Sequence, residues 1–231
     1  MIKKLKLILF IVFFVYQTFA HSKTVDSNDF NPKYLSGYLS AIISQNNLNS
    51  NAAVKYFNSS KILMNKHQEF LKEYAITLTI DGRVQKSINI IKQNSDQNNS
   101  NFFEAKLLLL IDNFKKKKFD QNIELLNEFK EYRDYDNYQY IIYEVLKSYN
   151  DLFLTKEINQ NKEKKFGNLS LINEAFQYCY LDQPEASTKF ISIINSNEGD
   201  YSRYLFFYLN TLIKKKDYDG VHQISKSINV L

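Results

Sequence analysis

Tryptophan is absent from these 231 residues, and there are only 5 glycines, 2 prolines and one cysteine. So few glycines can scarcely build a phosphate-cradling loop or a nucleophile elbow, and neither a Gly-rich loop nor a Gly-x-Ser-x-Gly turn occurs. One cysteine, Cys179, excludes an internal disulfide and a multi-cysteine metal site, and its residue type suits a small buried apolar position. The three histidines, His21, His67 and His222, stand far from one another and from Cys179, and no His-Glu-x-x-His pair is present. No catalytic residue, metal ligand or cofactor site is therefore nominated. The expectation is a protein that is not an enzyme.

What is plentiful points to helix. Hydrophobic residues make up 44% of the chain and aromatics 15%, enough for a large core. Leu, Ile, Lys, Glu and Gln are common and chain breakers rare, which favours helices over a turn-rich β fold. Asparagine is abundant. It is a poor helix former but a good cap, so it should mark the joints between helices.

The first twenty residues read as an export signal. Lys3, Lys4 and Lys6 precede an unbroken apolar run over residues 7–16, and Thr18-Phe19-Ala20 supplies small residues at the −3 and −1 positions of a cleavage site. Cleavage after Ala20, a short polar segment over 21–30 and a periplasmic or secreted destination follow as expectations. No cysteine near the cleavage site permits lipid attachment, and no stable membrane span is expected once the signal is gone. Residues 1–20 hold three lysines and no acidic residue, so their removal lowers the formal net charge from +5 to about +2. That near balance weakens a nucleic-acid footprint.

The remainder repeats. Lys115-Lys116-Lys117-Lys118-Phe119-Asp120 matches Lys214-Lys215-Lys216-Asp217-Tyr218-Asp219, 99 residues later. Each copy follows an apolar helix and precedes a second one. Intermediate units share the frame. Leu71, Tyr74, Ala75 and Leu78 mark one helical face, Asp81-Gly82-Arg83 a turn, and Val84, Ile88 and Ile91 the partner stripe. Asn31-Pro32 caps a helix carrying Tyr34, Leu35, Tyr38, Leu39 and Ile42, and Ala53, Phe57 and Leu63 follow in its partner. Later, Asp182-Gln183-Pro184 joins a helix over 171–181 to a stripe of Ala186, Phe190 and Ile194. Reference residues Phe57, Ile91, Leu126, Phe190 and Ser225 in the second helices lie 34, 35, 64 and 35 apart, the long step leaving room for a hidden pair over 138–165. About six antiparallel helix pairs are expected over residues 31–231.

A period near 34 in helix–turn–helix units resembles the tetratricopeptide (TPR) repeat family. Ala75, Gly82, Val84, Ser87 and Ile91 stand at that family's characteristic places, as do Ala53, Phe57 and Ser60, then Phe119 and Leu126, and Tyr218 and Val221, with Lys216 where Gly is usual. The organisation is similar to long, degenerate, signal-bearing TPR proteins of alphaproteobacteria. The resemblance implies an all-α, right-handed solenoid that acts as a protein-interaction scaffold of the cell envelope, holding a peptide or partner protein in its concave groove. Carrying over the family's groove positions nominates Glu69, Lys72 and Ile76, then Glu104 and Ile111, then Arg203, Phe206 and Asn210.

The alternative is an RNA-binding array of pentatricopeptide type, which also uses helix pairs of this length. The lysine runs would then contact phosphate, and the crowded Tyr132, Tyr135, Tyr138, Tyr140, Tyr143 and Tyr149 would stack bases. Ordinary packing of aromatics between helices explains that crowding as well. Finally, the last helix, about 220–231, ends on Ile228, Val230 and Leu231 with no polar cap after it. Repeat arrays need such a cap, so the array is expected to be incomplete or to self-associate through this end.

Overall fold

The structure, a computed structural model, describes residues 31–95, 100–129, 138–158, 166–195 and 202–227. The expected export signal, and Ile228, Val230 and Leu231, lie outside them. Among the described residues there are eleven α-helices and no strand: α1 Pro32–Asn46, α2 Ser50–Ser59, α3 Phe70–Ile80, α4 Val84–Gln93, α5 Phe103–Lys115, α6 Gln121–Glu128, α7 Tyr138–Thr155, α8 Asn168–Tyr180, α9 Ala186–Asn195, α10 Ser202–Lys214 and α11 Tyr218–Ser227. The protein is all-α. Asparagine caps the first two helices, as its abundance suggested. Asn31 Oδ1 accepts from the Lys33 N–H with Pro32 in the first turn, and Asn49 Oδ1 accepts from the Ala52 N–H.

One turn recurs five times. A first helix ends, the second residue after it adopts a left-handed φ, and the N–H of the residue that follows closes back on the carbonyl five residues earlier. The left-handed residues are Leu48, Gly82, Lys117, Asp182 and Lys216, with φ between 57° and 79°. The closing bonds run from Asn49 to Ser44, Arg83 to Leu78, Lys118 to Asn113, Gln183 to Tyr178 and Asp217 to Leu212, at 2.8–3.0 Å. Lys117 and Lys216 are the matched residues of the two lysine runs, and Lys216 takes the conformation that Gly82 takes. Among the described residues there are therefore five helical hairpins of one design: α1–α2, α3–α4, α5–α6, α8–α9 and α10–α11.

The second helix of each hairpin approaches the first through a small or polar residue. In the first three it lies five places after the left-handed residue: Ala53, Ser87 and Asn122, all 0% exposed. In the fourth hairpin the buried small position comes one place earlier, at Ala186, 2% exposed, and in the last two hairpins the buried apolar residues that follow, Phe190 and Ile224, come one place earlier as well. The repeat thus slips by one residue. In the last hairpin the buried apolar residue is accordingly Ile224, whereas the reference Ser225 is exposed and donates its hydroxyl to the Val221 carbonyl.

The chain divides into two compact units, Met1–Asn99 and Ser100–Leu231. In the first, Phe57 on α2 is fully buried between Tyr38 of α1 and Phe70 and Tyr74 of α3, at ring-centroid distances of 6.0, 5.3 and 5.4 Å. The ends of α2 fix its direction. Ser50 hydrogen-bonds Asp81 beyond the end of α3, while Asn58 accepts from Tyr74 Oη, so α2 and α3 are antiparallel. Ser87 Oγ donates to the Ala75 carbonyl at 2.8 Å and ties α4 to α3.

In the second unit the first helices run side by side in one direction. Phe103 meets Tyr138 and Phe114 meets Phe153, so α5 and α7 are parallel. Ser148 accepts from Gln177 and Phe153 meets Tyr180, so α7 and α8 are parallel. Phe176 meets Tyr204 and Phe207, and Lys215 pairs with Asp182, so α8 and α10 are parallel. By contrast, Asn122 bonds Asn150 and Phe129 stacks on Tyr143, which makes α6 antiparallel to α7.

The hidden pair over 138–165 is not a pair among the described residues. Its first helix, α7, takes 18 residues and ends at Thr155. Phe166, before α8, then packs edge-on against Tyr140 in the first turn of α7, at 6.1 Å. Phe166 therefore lies beside the start of α7, about 22 Å from its end at 1.5 Å per helical residue, and α8 begins two residues later.

Candidate interaction surface

The sequence-nominated residues fall on exposed sides of first helices. On α3 the buried face comprises Phe70, Leu71, Tyr74, Ala75, Thr77 and Leu78. Opposite it stand exposed Glu69 and half-buried Lys72 and Ile76, followed one turn on by Ile80, 65% exposed. These four share one side at three- and four-residue spacing. Glu69 and Glu73 lie near the Tyr38 phenol, whose pKa is raised first by burial and then by these two carboxylates.

Two residues of α1 add exposed apolar side chains on the neighbouring first helix. The buried residues of α1 are Tyr38 and Ala41. Leu39 is 51% exposed, and Ile43, one turn later, is 60% exposed. Because α1 and α3 each run antiparallel to α2, they are parallel. The pairs Leu39–Ile43 and Ile76–Ile80 then form two short apolar lines on neighbouring helices. The four-residue spacing was present in the sequence, but a helix apolar on most sides does not declare which stripe is buried. Val84 shows the same ambiguity: it is an expected core residue of α4 and is 41% exposed.

In the second unit, half-buried Glu104 and half-exposed Ile111 lie two turns apart on one side of α5. Arg203 and Asn210, likewise two turns apart, are exposed on α10, with the Arg203 guanidinium 4.8 Å from the Tyr204 ring centre. Phe206, 68% exposed, stands on an adjacent line with Ile213, 50% exposed. The nominated residues of α10 therefore fall into a polar line and an apolar one.

Several features bear on chemistry. Burial raises the Cys179 thiol pKa, which disfavours a reactive thiolate. Burial pushes the Tyr149 phenol up to about 12, and burial with Cys179, Asp217 and Asp182 nearby does the same for Tyr208. Of the crowded tyrosines, Tyr132 and Tyr135 lie outside the described residues, Tyr140 and Tyr143 are core residues, and Tyr138 is exposed. Lys115–Lys118 sit at a hairpin turn, not along a first-helix face. Among the described residues no three His, Cys, Asp or Glu side chains gather as a metal site, and no helix is long and apolar enough to cross a membrane.

Comparison with known proteins adds no relative: no protein-family model, no curated protein and no solved structure matches the chain.

Proposed function

We propose that this chain is a degenerate tetratricopeptide-like solenoid of the bacterial envelope that catalyses nothing and binds a partner protein or peptide on the exposed faces of its first helices. The observation that carries the reading is the recurrent hairpin turn. Its left-handed residues are spaced 34, 35, 65 and 34 apart, and one of them, Gly82, stands where the TPR family uses Gly. Parallel first helices in the second unit suit a stacked array, whose inner face those helices would line. Leu39, Ile43, Ile76 and Ile80 supply an apolar surface edged by Glu69 and Lys72, which fits the apolar ridge of an amphipathic helix or extended peptide. Export by the N-terminal signal places the binding event outside the cytoplasm. Burial of Tyr140 and Tyr143, the lysines' position at a turn and the near-neutral mature charge leave the RNA-binding alternative with less support.

The test is in-cell crosslinking followed by recovery from the envelope fraction, comparing wild type with Ile76→Glu and Arg203→Glu. Both positions are at least partly exposed, so the variants should fold. A defined partner held by wild type and lost from the variants supports the proposal. Equal recovery from all three refutes the placement of the groove. Mass spectrometry of the mature N-terminus tests export, with His21 expected as the first residue.

A further inference from the structure

The surface on α1 and α3 carries charge beside its apolar side chains, and the charge sits at one end of it. Tyr38 of α1 meets α3, its ring lying 5.7 Å from that of Phe70 and 4.6 Å from that of His67. Round α1 from Tyr38 come half-buried Ile42 and Leu35, then exposed Leu39 and Ile43. On α3, Glu69, Glu73, Ile76 and Ile80 recur at spacings of four, three and four residues and form one line. The carboxylates occupy its start and the isoleucines its end. Round the helix Glu73 is about 60° from Phe70, whereas Lys72 is about 160° from it, so Lys72 stands on the side away from α1. The Tyr38 phenol registers the same arrangement: after burial itself, Glu73 and then Glu69 raise its pKa. At the far end Asp81 is paired with Arg83 at 2.6 Å. Among the described residues neither Glu69 nor Glu73 has an ion-pair partner.

We propose that the partner segment bound here is cationic as well as apolar: an amphipathic helix whose apolar ridge lies along Leu39, Ile43, Ile76 and Ile80, and whose Lys or Arg residues at one end of that ridge meet Glu69 and Glu73. The inference rests on the reading of this surface as the docking site and adds to it the sign and the place of the partner's charge. Two carboxylates one turn apart on a helix repel each other, and a cation set against both relieves that repulsion. A wholly apolar segment would cover them without compensation, and burying an unpaired carboxylate is costly. Lys and Arg meet both demands, because their aliphatic stems pack on apolar neighbours while their heads reach the carboxylates. Charge confined to one end also fixes direction: the cationic end of the segment lies at the start of α3 and its apolar end beside Ile76 and Ile80.

Fluorescence anisotropy on the purified protein tests it with two labelled helical peptides. Both carry a leucine ridge at three- and four-residue spacing; one ends in lysines and the other in glutamates. The lysine peptide should bind wild type about tenfold more tightly than the glutamate peptide, and added salt should shrink the preference. Glu69→Gln combined with Glu73→Gln should remove most of it while circular dichroism stays that of wild type. Ile43→Ser combined with Ile80→Ser, at positions 60% and 65% exposed, should weaken both peptides alike. Equal binding of the two peptides, lost in the serine variant, overturns the charge assignment and leaves the docking surface standing. A preference for the glutamate peptide, or a lysine preference unchanged in the glutamine variant, overturns the charge assignment too. If neither peptide binds wild type, or the serine variant binds as wild type does, the docking surface on α1 and α3 falls with it.

Discussion

The α1–α4 region and the surroundings of α7 solve the same problem differently. Around α2 the core is aromatic and close-packed: Phe57, Phe70 and Tyr74 are each 0% exposed, and small Ala53 and Ser87 let paired helices approach. Around α7 side-chain hydrogen bonds join the aromatic contacts. Asn122 Nδ2 donates to Asn150 Oδ1 at 3.1 Å on one side, and Gln177 Nε2 donates to Ser148 Oγ at 2.6 Å on the other. Buried Asn122 Oδ1 and Asn173 Oδ1 make no hydrogen bond. The apolar cores centred on Phe129 and on Phe190 form separate clusters on the two sides of this seam. Where the hairpin repeat is regular, apolar burial holds the stack; where α7 stands without a described partner helix, hydrogen bonds between side chains share that role.

The comparison breaks most visibly at Phe57. Phe57→Ala removes a fully buried ring with three aromatic neighbours, and the expected loss is about 3–5 kcal/mol. Phe153→Ala, at the partly exposed junction of α7 and α8, should cost less than half of that. Urea denaturation of both variants measures the difference, and equal losses would erase the contrast between the regions.

The seam itself is probed by Asn150. A single Asn150→Ala change leaves the buried Asn122 amide without its acceptor, at an expected cost of about 1–3 kcal/mol. The double variant Asn122→Leu with Asn150→Leu removes both partners and should lie closer to wild type than the single one. If the double variant instead loses as much as the single one or more, the hydrogen-bonded pair stabilises the fold relative to an apolar pair.

The next test addresses the one-residue slip. Ala53→Phe should destabilise by about 1–3 kcal/mol through overpacking. The residue at the same place after the left-handed turn in α9 is Ser187, which is only partly buried. Ser187→Phe should be milder, and Ala186→Phe, one residue earlier, should behave like Ala53→Phe. Thermal midpoints of the three variants settle the register.

Much of this architecture was legible because its signals are local. The match between the two lysine runs located two equivalent turns, and Gly82, Asp182-Gln183-Pro184 and Asn31-Pro32 marked joints that the structure contains. Period and helix content needed only spacing and the scarcity of breakers. The slip at Ala186 was not legible, since Ser187 and Ala186 are both small and either could sit at the close approach. Nor was the length of α7: residues 138–165 suit a helix pair by number, yet α7 alone takes 18 of them. The exposed lines on α1 and α3 were half legible. Ile76 came from family positions, but an apolar residue such as Leu39 carries no mark of the side it will face.

The smallest expected effect concerns the turn that unites the hairpins. Gly82 adopts a φ of 79° at no steric cost, whereas Lys216 holds 60° and Asp182 57° with a Cβ in place. A left-handed residue with a side chain is strained by about 1–2 kcal/mol, and glycine relieves it. Glycine also gains freedom in the unfolded chain, which offsets part of that relief. The net expectation is a stabilisation of at most about 1 kcal/mol for Lys216→Gly. Asp182→Gly should gain less, because it also removes the ion pair with Lys215. In the opposite direction, Gly82→Ala should destabilise by about 1 kcal/mol, although no atom lies within 4 Å of the added Cβ. That empty space isolates backbone conformation from packing. A neutral Gly82→Ala variant alongside a destabilised Lys216→Gly variant would mean that the two turns are not equivalent, and the hairpins would then share a sequence period without sharing a conformation.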